Sequence, residues 1–211
     1  MVHHPTSDYR LLEVRGHPVY VSPEAAASAK LLEAVLARLD ANLKTVHETL
    51  PSPAGKALAK LPFWIERDNP DVPGMTYHPS AAWLSAHGYN PDKARCVEIG
   101  KLENFLDWQK IQPSMTLHEM SHAFHDQRLG FDHMTVKWAF DLAVASHRYE
   151  SVPYAAGAPR KAYALTNVQE YFAELSEAYF ERNDFYPFVR SELQTFDPAG
   201  FQMIEKMWFD R

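Results

Sequence analysis

Two histidines four residues apart, with a glutamate directly after the first, stand at His118, Glu119 and His122 in the run "LHEMSHAFHD". On an α-helix, positions i and i+4 share a face, so both imidazoles can reach one ion, and a glutamate at i+1 is placed beside a water on that ion. Zinc suits such a set, because it takes neutral imidazole and carboxylate in a tetrahedral shell and keeps one position open for a reactant. Glu119 is then a candidate general base, and the chemistry of an H-E-x-x-H helix is amide hydrolysis without a covalent intermediate. Met115, Leu117, Met120, Ala123 and Phe124 make the flanks apolar, as a helix presenting these groups from a dry wall requires. A third histidine, His125, lies three residues past His122 and faces nearly the same way, which makes it a candidate to support a ligand or line a cleft.

A chain with 11 histidines can produce this five-residue pattern by accident, so the motif needs a third ligand. The extended pattern with a histidine six residues after the second is absent, since histidine occupies 125 where it needs glycine and arginine occupies 128 where it needs histidine. The other arrangement takes a carboxylate from a second helix. "NVQEYFAELSEAYFE" offers Glu170, Glu174, Glu177 and Glu181 on one helical stripe. Such a stripe is either a solvated face or a set of ligands and their supports. Tyr171, Phe172, Ala173, Leu175, Ala178, Tyr179 and Phe180 between the acids favour a packed helix, in which one acid can bind metal and another, one turn away, can accept a hydrogen bond from a ligating histidine.

Several elements must position these residues. Alternating apolar residues on both sides of Arg15-Gly16-His17 predict a hairpin, Leu11 to Val14 and Val19 to Val21. Ser22-Pro23-Glu24 supplies a cap, a first-turn proline and an acid for a helix running to about His47. After the breaker run "LPSPAG", "LPFWIERD" reads as a strand, the turn-rich "GMTYHPSAAWLSAHGYNPDK" as a short strand and a short helix wrapped over the core, with Tyr77 and His78 in a loop bordering the cleft, and "ARCVEIG" as a further strand. If that strand lies at a sheet edge, its residues Val97, Glu98 and Ile99 are placed to hold an extended peptide through their backbone; an interior strand has no such role. Helices are expected from Ser114 to about Leu129, ended by Gly130, from His133 to about Tyr149 and from Asn167 to about Glu181. The connection from Glu150 to Thr166 reads as a long loop, and Trp64, Trp83 and Trp138 as core or ridge aromatics.

These elements make an α+β chain of one domain, 1–211, with a small twisted sheet and a long helix in an α/β part, about 8–112, and a mainly helical part, about 113–211. A chain of 211 residues, 46% hydrophobic and 23% charged, can bury its own core, so a monomer is expected. A net charge of -6 without a Lys/Arg run argues against nucleic acid as a partner. No run approaches the ~20 apolar residues of a membrane span. The single cysteine, Cys96, excludes an internal disulfide and any cysteine-based metal cluster.

"LHEMSHAFHD" together with "YALTNVQEYFAE", Tyr163 to Glu174, resembles the catalytic domain of the anthrax lethal factor-like metallopeptidases, gluzincins that also include the clostridial Pro-Pro endopeptidases. The match is strongest from about Pro113 to Glu181 and reaches weakly back to Arg95; nothing diagnostic precedes Ala94, and the toxin's translocation and receptor-binding parts have no counterpart. The resemblance implies a zincin-like fold with one Zn2+ and a peptide or protein substrate. It makes Glu170, which opens the E-[FY]-F-A-E run, the third ligand. Tyr163, seven residues earlier, is implied to bind the transition-state oxyanion, and Glu174 to support a ligand from behind; Thr166 and Asn167 match as well. Similar compact peptidases are commonly exported, which points to a secreted or periplasmic mature form rather than a cytoplasmic one. Two rivals stand beside a zinc endopeptidase: a catalytically silent peptide-binding module on the same fold, and a structural protein whose histidine helix is coincidental.

Overall fold

The hairpin predicted at the N-terminal side is present in the computed structural model, which describes residues 3–209. Strands β1 (Arg10–Val14) and β2 (His17–Val21) pair antiparallel. Arg15 and Gly16 between them both take positive φ, 48° and 86°, the two-residue turn that follows the right-handed twist of the strands. Ser22 then caps α1 (Pro23–Ala27) by accepting from the Ala25 N–H. The single long helix expected here breaks at Ser28, and α2 (Ala29–Thr49) resumes on a new axis with Leu32, Val35, Leu39, Leu43 and Val46 as its buried stripe. The "LPSPAG" run does not stay irregular: Ser52 and Pro53 start α3 (Ser52–Leu58), proline being harmless in a first turn.

Strand β3 (Phe63–Ile65) lies parallel to β2. The turn-rich segment holds the short strand and short helix expected of it, β4 (Met75–His78) and α4 (Ala81–Ala86), with Tyr77 and His78 in the strand and not in a loop, and the chain then returns as β5 (Cys96–Ile99). The sheet order is β1-β2-β3-β5-β4. β5 is therefore interior, parallel to β3 on one side and antiparallel to β4 on the other. Its backbone groups are taken by two neighbours, so Val97, Glu98 and Ile99 cannot hold an extended peptide as expected; the sheet edge on this side is β4. Glu98 instead closes a buried polar network, with Oε2 2.7 Å from His78 Nε2 and Oε1 2.9 Å from Lys93 Nζ and 2.8 Å from Asn69 Nδ2.

After α5 (Leu102–Trp108) the chain becomes helical, as expected. The histidine helix is α6 (Met115–Phe124), continued by a wider π-type turn, His125–Leu129, that Gly130 ends at φ 83°. It is followed by α7 (Met134–Ala145). The long connection carries a small hairpin, β6 (Val152–Tyr154) and β7 (Gly157–Arg160), and a 3-10 turn at Tyr163–Leu165. Helix α8 (Val168–Phe180) is buried without interruption from Tyr171 to Tyr179 among α6, α7, α9 (Arg190–Phe196) and α10 (Pro198–Phe209). At Gly200 of α10 a Cβ would stand 2.5 Å from both the Tyr171 hydroxyl and Leu175 Cδ2, so only glycine permits this approach to α8. One apolar core runs from Val19 and Phe63 of the sheet through Leu117 and Met120 of α6 to Phe172 and Trp208 of the helical lobe. Trp64 is buried, whereas Trp83 and Trp138 are exposed. Among the described residues no helix is long and apolar enough to cross a membrane.

Candidate metal centre

Helices α6 and α8 pack face to face, and this contact brings the sequence-distant candidates together. Asn167 caps α8 by accepting from the Glu170 N–H at 2.8 Å, which places Glu170 in the first turn, where the helix end meets α6. Its Oε2 lies 3.1 Å from His118 Nε2 and 3.3 Å from His122 Nε2, and the two Nε2 atoms are 3.1 Å apart. Ligand atoms on a tetrahedral shell with bonds of ~2.0–2.1 Å lie ~3.3–3.4 Å from one another. The triangle observed has nearly those edges, and His118, His122 and Glu170 could hold one metal ion.

The protonation pattern agrees. His118 Nδ1 donates to Glu177 Oε1 at 2.6 Å, which fixes the tautomer and turns the Nε2 lone pair toward Glu170 and His122. Three electron-pair donors then converge on one point, an arrangement that only a proton or a cation relieves. Burial lowers the His118 pKa, but the carboxylates of Glu170 and Glu177 together carry it well above the ordinary value. Burial opposes ionisation of Glu170 as well, yet its bonds to His118 and His122 hold it far below the usual carboxylate range.

The resemblance assigned the supporting role to Glu174, and here the structure differs. Glu174 Oε1 stands 3.8 Å from His118 Nδ1, beyond hydrogen-bond reach, and its Oε2 has no partner. Glu177, one turn further along the same stripe, makes the bond. The stripe is not a solvated face: Glu174 and Glu177 are almost fully buried. Burial pushes both carboxyls up, with their mutual repulsion adding to the shift of Glu174, and burial likewise raises Glu181 to about 7. His125 departs further from expectation. It lies in the π-type turn with its ring against Phe131 and Phe172, neither nitrogen bonded, and burial pushes its pKa down to about 4. It neither lines the cavity nor supports a ligand.

Glu119 points to the other side of the triangle. Its Oε2 accepts from the Tyr77 N–H on β4 at 2.7 Å, and burial raises its carboxyl above the ordinary value, moderated by His118 and His122. The Tyr77 hydroxyl donates to Asp126 Oδ2 at 2.6 Å, so one residue ties the edge strand to α6 and to the π-type turn that continues it. Tyr163 completes the set: its half-exposed ring lies 6.5 Å from that of His118, and burial, followed by the charge of Glu170, raises its pKa. Glu119, Tyr77 and Tyr163 line one cavity of about 280 Å³ with the histidine–glutamate triangle, walled further by Met75, Trp108, Gln112 and Met115. Sequence reasoning offered Glu177 among four acids and set Tyr77 beside the cleft, but assigned neither its role. The signal for Glu177 was its place seven residues after Glu170 on one face; that for Tyr77 was the short "MTYH" alternation.

No family model, no curated protein and no solved structure matches this chain.

Proposed function

We propose that this chain is a zinc-dependent metalloendopeptidase with a zincin-like fold, related to the lethal factor-like gluzincins that its two motif runs resemble. The observation that carries the proposal is the triangle of His118 Nε2, His122 Nε2 and Glu170 Oε2, with Glu119 and Tyr163 in the same cavity. His118, His122 and Glu170 hold the metal. Zinc, when bound, supplies a Lewis acid that makes a water more acidic and draws electron density from a carbonyl.

The remaining work falls to the chain's own groups. Glu119 takes the proton of the attacking water and passes it to the leaving amine. Its raised pKa suits a carboxylate that must hold a proton transiently, and the Tyr77 N–H fixes Oε2 and leaves Oε1 for the water. Tyr163, like any phenol, carries its proton at neutral pH, and donates a hydrogen bond to the oxyanion that develops on the substrate carbonyl. The peptide lies along β4. Gly74 and His78 direct their carbonyls toward Gly100 and Arg95 beside β5, so antiparallel alternation leaves the main-chain groups of Met75 and the carbonyl of Tyr77 facing the open edge, the Tyr77 N–H being held by Glu119.

Zinc titration of metal-free protein tests the site. One equivalent binds to the wild type, and His122→Ala and Glu170→Ala bind far more weakly while keeping their helical spectrum. Less than about half an equivalent, with no gain when zinc is in excess, would refute the assignment.

A further inference from the structure

A second cavity of about 350 Å³ shares Thr76 and Tyr77 with the metal cavity but opens on the other side of the edge strand. Side chains alternate along β4. Met75 and Tyr77 face α6, where they meet Thr116 and Asp126, so Thr76 and His78 face the opposite side of the sheet. There the wall is mainly apolar: Val72, Pro79, Leu84 and the rings of Trp83 and Tyr89. Trp83 is stacked on His87, ring centroids 4.0 Å apart, and lies parallel to Tyr89 within 7°, yet it remains 51% exposed. The hydroxyl of Tyr89 is engaged by Asp71 at 2.7 Å, which holds its ring in place. An aromatic platform is thus fixed in position and left uncovered beside an open strand edge.

A peptide paired with that edge obeys the same alternation. When one of its side chains turns toward α6 and the metal cavity, its neighbours turn toward Trp83. We propose that this second cavity is a specificity subsite taking an apolar, preferably aromatic, side chain of the substrate, at a position of opposite strand parity to the residue that enters the metal cavity. The proposal rests on the peptidase reading for the edge-strand substrate, and on the continuity of the two cavities across Thr76 and Tyr77 for the place of the subsite.

The test uses a blocked random peptide library. Cleavage by the zinc-loaded wild type is read by mass spectrometry, and binding is read on Glu119→Gln, with and without Trp83→Ala and Trp83→Phe. The wild type should prefer aromatic over alanine at one fixed position by about tenfold in kcat/KM. Trp83→Ala should bring that ratio close to one, and Trp83→Phe should retain most of it. A ratio that survives Trp83→Ala, an equal loss for every peptide, or no aromatic preference at any position would overturn the subsite. The two ideas fail separately. Cleavage without a Trp83-dependent preference refutes the subsite and leaves the peptidase. Trp83-dependent binding without cleavage refutes hydrolysis and leaves the subsite. Absence of both binding and cleavage refutes both.

Discussion

Glu177 bonds His118 Nδ1 at 2.6 Å, while Glu174, on the same stripe, stands 3.8 Å from it. This difference sets the order of two effects. Glu177→Gln removes a charged acceptor that orients a ligand and raises its basicity, so zinc affinity should fall by ~10–100-fold with the fold intact. Glu174→Gln should cost less, and competition against a chromophoric chelator measures both; the reverse order would contradict the assignment. At this scale the sequence was informative where helical geometry is rigid. That His118 and His122 meet on one face with Glu119 beside them followed from spacing alone. The acid that meets them did not, since four acids at intervals of a turn are equivalent until the angle between α6 and α8 is known; the resemblance singled out Glu170, which does meet them, and also Glu174, which stands away from His118 where Glu177 bonds it. His125 shares the face of His122 on an ideal helix, but the π-type turn that begins there rotates it into an apolar pocket.

Among the elements, the order of strands was the hardest thing to foresee. "RCVEI" is a strand as expected, but pattern alone does not tell interior from edge, and the strand that completes the sheet, "MTYH", is four residues in a turn-rich segment. Interior position explains why Glu98 can be buried at all: it is surrounded by His78, Lys93 and Asn69. Burial opposes its ionisation, but the His78 bond and the Lys93 charge outweigh that and bring its pKa down to about 2. A carboxylate with a lowered folded pKa binds fewer protons than in the unfolded chain, so its stabilisation is complete above the unfolded value, about 4.5, and is lost as the pH falls toward 2. The loss amounts to roughly 3 kcal/mol. Urea melts across that acid window should show it in the wild type and a flatter dependence in Glu98→Gln; equal slopes would mean that the network contributes nothing.

Across the whole molecule, a helix and a sheet from the first half and a helical lobe from the second share one core, with α6 between them. The helical segments and the N-terminal hairpin were legible because their periodicities extend over many residues. The break at Ser28, α3 within a proline-rich run and the hairpin β6–β7 were not, because tertiary packing decides them. The placement of the centre also ties metal to stability. Glu174 and Glu177 are buried beside His118, Glu170 stands less buried at the cavity, and burial raises the two inner carboxyls, so on the proposed reading a bound cation would relieve the site. Zinc that binds only the folded state adds ~4 kcal/mol at a thousandfold excess over its Kd, so chelation should lower the melting temperature by several degrees and added zinc should restore it. The most direct measurement is a mass-spectrometric peptide digest run side by side with zinc-loaded wild type and zinc-loaded Glu119→Gln. The wild type should cut peptide bonds, and the variant, with its metal still bound, should lose cleavage by several orders of magnitude. Cleavage that survives Glu119→Gln, or a fully zinc-loaded wild type that cuts nothing, would contradict the assignment of this chain as a peptidase.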